Sequence, residues 1–134
     1  IREEYGIDEP PVFEYSEHGK PSIVGHPEIY FNLSHCRSVA ACVVSLSPVG
    51  VDVEDVREFK ESLARYVLND DEYAAVMSSQ SPAQEFIRLW TMKESYLKLT
   101  GEGITRDLKT VLTDIGKYHF DTRHLHSSVL TICY

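Results

Sequence analysis

Three acidic residues stand where their carboxylates could act together. Asp52 and Glu54 lie two residues apart in Gly50-Val-Asp-Val-Glu54, a segment whose alternating valines predict a β-strand. Residues i and i+2 of a strand project from the same face, roughly 6.5 Å apart at their bases, so both carboxylates could reach one hard cation. The same alternation is typical of a solvated sheet edge, and for these two residues alone that interpretation is favoured.

The third acid, Glu94, lies in a segment for which Ser81-Pro82 and Gly101 predict the start and end of the longest helix. Glu94 falls on the flank of the apolar stripe, where an acid is less expected than on the outer face. One explanation is an ion pair with Lys98 one turn later, worth only about 0.3–0.5 kcal/mol. The other is that Glu94 joins the two strand acids around Mg²⁺, a cation that commonly serves phosphate chemistry.

Two apolar segments before the acidic strand predict further strands. From Glu28, the alternation places Ile29, Phe31 and Leu33 on a buried face, and it places three polar residues on the other: Tyr30, Asn32 and Ser34. Residues 38–46 are apolar on both faces, which indicates a strand covered on both sides, although a buried helix would show the same pattern.

The remaining elements follow from helical and strand periodicity. Apolar spacing from Val56 to Val67 predicts a first amphipathic helix, and Asn69 with Glu72 forms the capping-box pattern that begins a second. The end of the chain predicts an antiparallel meander with strands over 110–114, 118–122 and 127–134. We therefore expect an α+β fold, with an antiparallel sheet packed against helices over residues 28–134 and an extended, proline-rich lead-in over residues 1–27.

Composition excludes several classes of function. The 134 residues suffice for a single domain, and 13 basic against 21 acidic residues give a formal net charge of −8, which argues against a nucleic-acid partner. The longest strongly apolar stretch, residues 39–46, is far shorter than the roughly 20 residues that cross a bilayer, so no membrane partner is expected. The three cysteines lack C-x-x-C spacing and no secretory leader is evident, which predicts reduced thiols in the cytoplasm.

His35 follows Ser34 at the end of a predicted strand, which superficially suggests a nucleophile and its base. Adjacent residues on extended backbone point apart, so a serine-hydrolase site is rejected. A histidine there usually caps backbone, yet beside Lys20 it could hold a phosphate group.

Four strings in this order resemble the motifs of the 4′-phosphopantetheinyl transferases, of the larger surfactin-synthetase-activating type. They are Gly19-Lys20-Pro21, Phe31-Asn-Leu-Ser-His35, Gly50-Val-Asp-Val-Glu54, and Leu89-Trp-Thr-Met-Lys-Glu-Ser-Tyr-Leu-Lys98 with Gly101 and Gly103. The string Trp-x-x-Lys-Glu-Ser-x-x-Lys is the most distinctive. The resemblance implies one half, with its lead-in, of a fold built from two similar α/β halves that are related by a pseudo-twofold and enclose coenzyme A.

The resemblance implies an enzyme that moves the 4′-phosphopantetheine arm of coenzyme A onto a serine of an acyl, peptidyl or aryl carrier protein. Adenosine 3′,5′-bisphosphate is released, and Mg²⁺ is required. Asp52, Glu54 and Glu94 would hold the metal, with Glu94 also the base for the serine. Lys98 would contact the pyrophosphate, and Asp52, Glu94 and Lys98 would form the catalytic set.

The coenzyme-binding residues implied by the resemblance form a second set. Lys93 would contact a phosphate, and His35 with Lys20 would hold the 3′-phosphate and adenine end. The complete set comprises Lys20, Pro21, Ser34, His35, Lys93 and Lys98.

The resemblance covers only the second half of the larger members. The chain opens on Ile1 rather than Met, which predicts either a missing N-terminal half or self-association, with another copy supplying the missing surface. Two rival functions stay open: a non-catalytic coenzyme A or nucleotide-binding half-domain, and a Mg²⁺-dependent phosphohydrolase. The motifs do not specify which carrier protein is modified.

Overall fold

All strand pairs in the described part of the protein are antiparallel. The computed structural model describes residues 2–17, 19–103, 107–113 and 116–134. In chain order, the elements are α1 (Arg2–Tyr5), β1 (Phe13–Tyr15), β2 (Pro21–Ile23), β3 (Tyr30–His35), β4 (Ala40–Ser45), β5 (Gly50–Asp55), α2 (Glu61–Val67), α3 (Asp70–Ser78), α4 (Pro82–Thr100), a 3₁₀ turn (Leu108–Thr110), β6 (Phe120–His124) and β7 (Ser128–Cys133).

The strands form three small sheets. β1 pairs with β2, β3 pairs with β4, and β5, β7 and β6 form a three-stranded sheet in that order. α4 packs across β5 and β7, and its buried residues join the main hydrophobic core, which includes Phe86, Ile87 and Leu97. A smaller core of Ile23, Ile29 and Phe31 joins the lead-in to β3. The predicted α+β architecture, antiparallel strands packed against helices, is therefore confirmed.

The bounds of α4 agree with its start and stop residues. Pro82 occupies the first turn, where its missing N–H costs nothing, and Gly101 ends the helix in the left-handed conformation with φ 77°. Ser81 stands at the N-cap position without a side-chain cap hydrogen bond. Gln84, three residues after Ser81, contacts His124 Nδ1 through its Nε2 at 3.0 Å.

Three sequence predictions about these elements were wrong. The first amphipathic helix begins only at Glu61, because Val56 continues the extended chain and donates its N–H to Ser127 O at 2.9 Å. The strand expected over 110–114 is absent over its described residues, where Asp107 accepts from Lys109 N and nucleates a 3₁₀ turn. Within β4, expected to be covered on both sides, none of the six residues is buried. Asp114 of the predicted strand lies outside the described residues, as do Ile1 and His18 of the predicted lead-in.

α3 begins with a complete capping box. Asn69 Oδ1 accepts from Glu72 N at 2.9 Å, and Glu72 Oε1 accepts from Asn69 N at 2.9 Å, as the sequence predicts. We expect Asn69→Ala to lower the free energy of unfolding by about 1 kcal/mol, because the backbone N–H of Glu72 loses its acceptor. Urea unfolding followed by circular dichroism measures the change, with Asn69→Asp as the control that keeps an acceptor. Equal stability of wild type and Asn69→Ala would contradict the prediction.

None of the described helices is long and apolar enough to cross a membrane.

Candidate active site

Asp52 and Glu54 lie on the face of β5 that α4 covers. Gly50 identifies this face, because a Cβ atom added there would overlap the carbonyl oxygen of Ser95 in α4 and lie 2.7 Å from Leu99 N. Side chains two residues apart in a strand share a face, so residues 50, 52 and 54 all project toward the helix that carries Glu94 and Lys98. The close approach of α4 to β5 requires a glycine at position 50. Glycine inside a strand often marks a place where another backbone comes close.

Asp52 is a buried carboxylate with only one of its oxygens partnered. Its side chain is 5% exposed, and Oδ1 accepts from Lys98 Nζ at 3.2 Å and from Ser34 Oγ at 3.3 Å. Oδ2 is buried and has no hydrogen-bond partner among the described residues. A buried polar atom without a partner is costly, so its presence needs an explanation beyond folding.

Lys98 lies between β3 and β5. Besides Asp52, its ammonium group donates to the carbonyl oxygens of Val51 at 3.0 Å and Leu33 at 3.4 Å. Its side chain remains 30% exposed, so the ammonium can still face solvent or a ligand. Among the described residues, Lys98 thus forms its ion pair with the more deeply buried Asp52 of β5, and not the i, i+4 pair with Glu94 that the sequence suggested.

The electrostatics show that the three acids are close enough to influence one another. The pKa of Asp52 is raised to about 7. Burial is the main cause, the charges of Glu54 and Glu94 act in the same direction, and Lys98 acts against them. Burial also raises the pKa of Glu94, again opposed by Lys98 and increased by Glu54. Such clustered, raised pKa values are typical of functional sites.

The fit of this cluster to a divalent cation rests on its chemistry. Within the described residues, no three or more His, Cys, Asp and Glu side chains lie close enough together to form a metal site as they stand. The donors at Asp52, Glu54 and Glu94 are nevertheless all carboxylate oxygens, the ligands that Mg²⁺ prefers, and Asp52 Oδ2 is unpartnered. The residues therefore fit the ion chemically, and their role as ligands stays a prediction.

Ser34 and Asn32 attach β3 to β5 through their side chains. Asn32 Oδ1 accepts from Val51 N at 2.9 Å, and Ser34 Oγ accepts from Val53 N at 3.0 Å. Both side chains are buried, whereas Leu33, expected on the buried face, is 56% exposed. Ile29 and Phe31 are buried as predicted, and only Leu33 departs from the predicted face. The opposite face is buried at Asn32 and Ser34 because their polar side chains replace ladder hydrogen bonds to β5.

Lys20, Pro21 and His35 lie around the C-terminal end of α4 and the end of β3. Lys20 Nζ donates to the last carbonyl oxygens of the helix, Lys98 O at 2.6 Å and Leu99 O at 2.9 Å, and burial lowers its pKa. Lys20 and Pro21 line two cavities, the larger of about 580 Å³. His35 is exposed at the last position of β3.

Lys93, expected to contact a phosphate, joins four elements of the fold. Its buried ammonium donates to Val67 O at 2.8 Å, Leu108 O at 2.7 Å and Glu72 Oε1 at 2.7 Å. Three bonds use all the donors of an ammonium group, so none remains for a ligand in this arrangement. Glu72, explained from the sequence as a helix cap, is also the counter-ion of Lys93.

Comparison with known proteins shows which family the chain resembles. A family model described as the 4′-phosphopantetheinyl transferase superfamily matches residues 48–132, the segment that includes all three acids. The chain is similar to the 4′-phosphopantetheinyl transferase psf-1 of Bacillus pumilus, with 36% identity over 113 residues that cover 82% of this chain and 48% of that protein.

Two further relatives show the same partial coverage. The 4′-phosphopantetheinyl transferase Sfp of Bacillus subtilis strain 168 is 31% identical over 81% of this chain and 50% of its own length. HetI of Nostoc sp. strain PCC 7120, a protein of the same description, is 36% identical over 70% of this chain and 43% of its own length. The chain thus spans about half the length of the curated relatives it matches.

Proposed function

Because this chain belongs to the 4′-phosphopantetheinyl transferase superfamily, we propose that it transfers the 4′-phosphopantetheine arm of coenzyme A to a serine of an apo carrier protein. The products are the modified carrier protein and adenosine 3′,5′-bisphosphate. The observation that carries the proposal is the buried Asp52 carboxylate, whose unpartnered oxygen lies on the strand face that α4 covers with Glu94 and Lys98. Neither solvation nor packing accounts for that arrangement of acids and a base.

The three acids are proposed to hold Mg²⁺. When bound, the ion supplies charge neutralisation for the pyrophosphate of coenzyme A. Asp52 offers the unpartnered Oδ2 as a ligand. Glu54 and Glu94 add two more carboxylates, whose oxygens are the hard donors that Mg²⁺ prefers. Burial of Asp52 shields its own carboxylate from water, which strengthens the charge interactions of that group.

Glu94 is proposed as the general base. In the reaction, the serine Oγ forms a bond to the phosphorus that bears the pantetheine arm, and the bond from that phosphorus to the bisphosphate oxygen breaks. The serine proton moves to a carboxylate oxygen of Glu94, whose pKa burial raises toward the range that suits a base. The bisphosphate departs with the electron pair of the broken bond.

Lys98 is proposed to bind the pyrophosphate and stabilise the leaving oxygen. Its ammonium is partly exposed beside Asp52, so it can donate to a phosphate oxygen without unfolding the site. Lys20, Pro21, Ser34 and His35 are proposed to line the adenine and 3′-phosphate end. The exposed imidazole of His35 supports this, whereas Lys20 would first have to release the carbonyl oxygens at the end of α4.

We place the reaction in the cytoplasm, where the three free cysteines would stay reduced. The carrier protein is of the acyl, peptidyl or aryl class.

Mass spectrometry tests the proposed function. An apo carrier protein incubated with the chain, coenzyme A and Mg²⁺ should gain the mass of a phosphopantetheine group, and adenosine 3′,5′-bisphosphate should appear in equal amount. Binding of coenzyme A without a mass gain would support the non-catalytic binding half-domain instead. Release of pantetheine phosphate in the absence of carrier protein would support the phosphohydrolase.

We expect Lys98→Ala to lower kcat by at least about tenfold while the fold remains intact. The alanine variant loses the donor to the phosphate, and it also leaves the Asp52 carboxylate with less compensation, because Lys98 lowers the pKa of Asp52. Steady-state kinetics measure the change, and Lys117→Ala on the exposed surface is the control. Near-normal turnover in Lys98→Ala would return this lysine to a purely structural role.

We also expect a second surface to complete the coenzyme site, from another copy of this chain or from an N-terminal half. Large apolar side chains are exposed on β1 and near β3, among them Phe13, Tyr15, Leu33 and Leu46. The isolated chain should therefore self-associate or bind coenzyme A weakly. Sedimentation combined with calorimetry checks both properties, and a monomer that binds coenzyme A tightly would contradict the expectation.

A further inference from the structure

The β3–β4 hairpin is attached to β5 by side chains and not by a strand ladder. In the described part of the chain, β3 pairs only with β4, and β5 pairs only with β7. Asn32 and Ser34 supply two of the connections to β5. The position of the hairpin relative to the three acids therefore depends on a few specific side-chain hydrogen bonds.

Asp55, the last residue of β5, provides a third connection at the turn that joins β3 to β4. Its Oδ1 accepts from Ser38 Oγ at 2.9 Å and from Cys36 Sγ at 3.4 Å, and its Oδ2 accepts from Arg37 N at 3.1 Å. One carboxylate thus binds three consecutive residues of the turn.

This turn follows His35 directly. The turn closes with Cys36 N donating to Val39 O at 2.8 Å, and His35 pairs with Ala40 as the last rung of the hairpin. The end of a two-stranded hairpin frays easily unless tertiary contacts restrain it. For this hairpin end, the Asp55 carboxylate is such a restraint, and His35 is the residue whose position it restrains most directly.

We propose that Asp55 is a positioning residue for the nucleotide end of coenzyme A, acting through the 36–38 turn to hold His35 in place. The inference rests on the proposed function, because His35 is there assigned to the adenine and 3′-phosphate end. Asp55 itself need not touch the ligand. Without it, the turn and the last rung of the hairpin would move, and part of the binding energy would be spent on ordering them.

Calorimetry with adenosine 3′,5′-bisphosphate tests this inference, because that probe contains only the nucleotide end of the coenzyme. We expect Asp55→Ala to raise the Kd for the bisphosphate, and the KM for coenzyme A, by about tenfold, with kcat changed less than about twofold. Asp55→Asn keeps an acceptor for Arg37 N and should show a smaller rise, a partial rescue that a role for charge alone would not produce. Amide exchange at Arg37 should be faster in Asp55→Ala than in wild type.

Asp71→Ala is the matched control, since it removes the same side chain at an exposed position of α3 and should leave Kd and KM unchanged. Ser38→Ala, which removes the 2.9 Å contact from the turn, should weaken bisphosphate binding in the same direction and keeps the test decisive if Asp55→Ala fails to fold. Equal Kd values for wild type, Asp55→Asn and Ser38→Ala, or a fall in kcat at unchanged KM, would overturn the inference alone. A wild-type chain that binds neither coenzyme A nor the bisphosphate would overturn the proposed function, and this inference with it.

Discussion

Replacing Asp52 with asparagine is expected to lower the rate of phosphopantetheine transfer by about 10²- to 10³-fold without unfolding the protein. Asparagine has nearly the same shape, and its Oδ1 can still accept from Lys98 and Ser34. What it removes is the negative charge at the buried oxygen that has no partner among the described residues. The substitution therefore separates the functional contribution of the carboxylate from its packing.

The measurement is kcat at saturating coenzyme A and carrier protein. Asp121→Asn is the matched control, because it makes the same chemical change in a side chain that is 44% exposed. Wild-type turnover in Asp52→Asn would remove this carboxylate from the mechanism.

The same variant gives a prediction about stability and pH. The folded-state pKa of Asp52 lies at about 7, above the ordinary value of 3.8, so the native state binds the proton more tightly than the unfolded chain does. Stability from this group is present at low pH and is lost as the pH rises from about 4 to about 7, on the order of 1.4 kcal/mol for each pKa unit. Asparagine cannot ionise, so it lacks this loss.

We therefore expect the unfolding free energy of Asp52→Asn, relative to that of wild type, to increase as the pH rises from 4 to 7. Urea unfolding at several pH values, followed by circular dichroism, measures the difference. A difference that stays constant with pH, or that shifts in favour of wild type as the pH rises, would contradict the assignment of a raised pKa to the buried Asp52 carboxyl group.

Replacing Gly50 with alanine is expected to destabilise the fold by about 3 kcal/mol or more and to abolish transfer. The new Cβ would overlap Ser95 O and lie 2.7 Å from Leu99 N, both backbone atoms of α4 that cannot rotate away. The helix would have to move from β5, and it would carry Glu94 and Lys98 away from Asp52. A displacement of about 1 Å is enough to cost 10²-fold in rate.

Gly25→Ala separates steric overlap from backbone strain. A Cβ at Gly25 meets nothing within 4 Å, although its φ of 81° disfavours alanine, so a loss of only about 1–2 kcal/mol and normal turnover are expected. Thermal unfolding and kcat are measured for both variants. Similar stability for Gly50→Ala and wild type would mean that α4 does not pack this closely on β5.

Local chemistry allowed several features to be predicted from the sequence. The bounds of α4 follow from Pro82 and Gly101, and the capping box from Asn69 and Glu72, because each depends on residues a few positions apart. The shared face of Asp52 and Glu54 follows from the strand repeat in the same way. The meander of the last two strands was also predicted, since the β6–β7 hairpin joins neighbouring segments.

The tertiary structure decided what each of these faces meets. Periodicity assigns a side chain to one face of an element, but the partner of that face comes from distant parts of the chain. Lys93 and Lys20 were both expected at phosphates, and packing places their ammonium groups against backbone carbonyl oxygens of α2, α4 and the 3₁₀ turn. Asn32 and Ser34 are buried because the N–H groups of Val51 and Val53 face β3 and not a paired strand, and these two side chains accept from them.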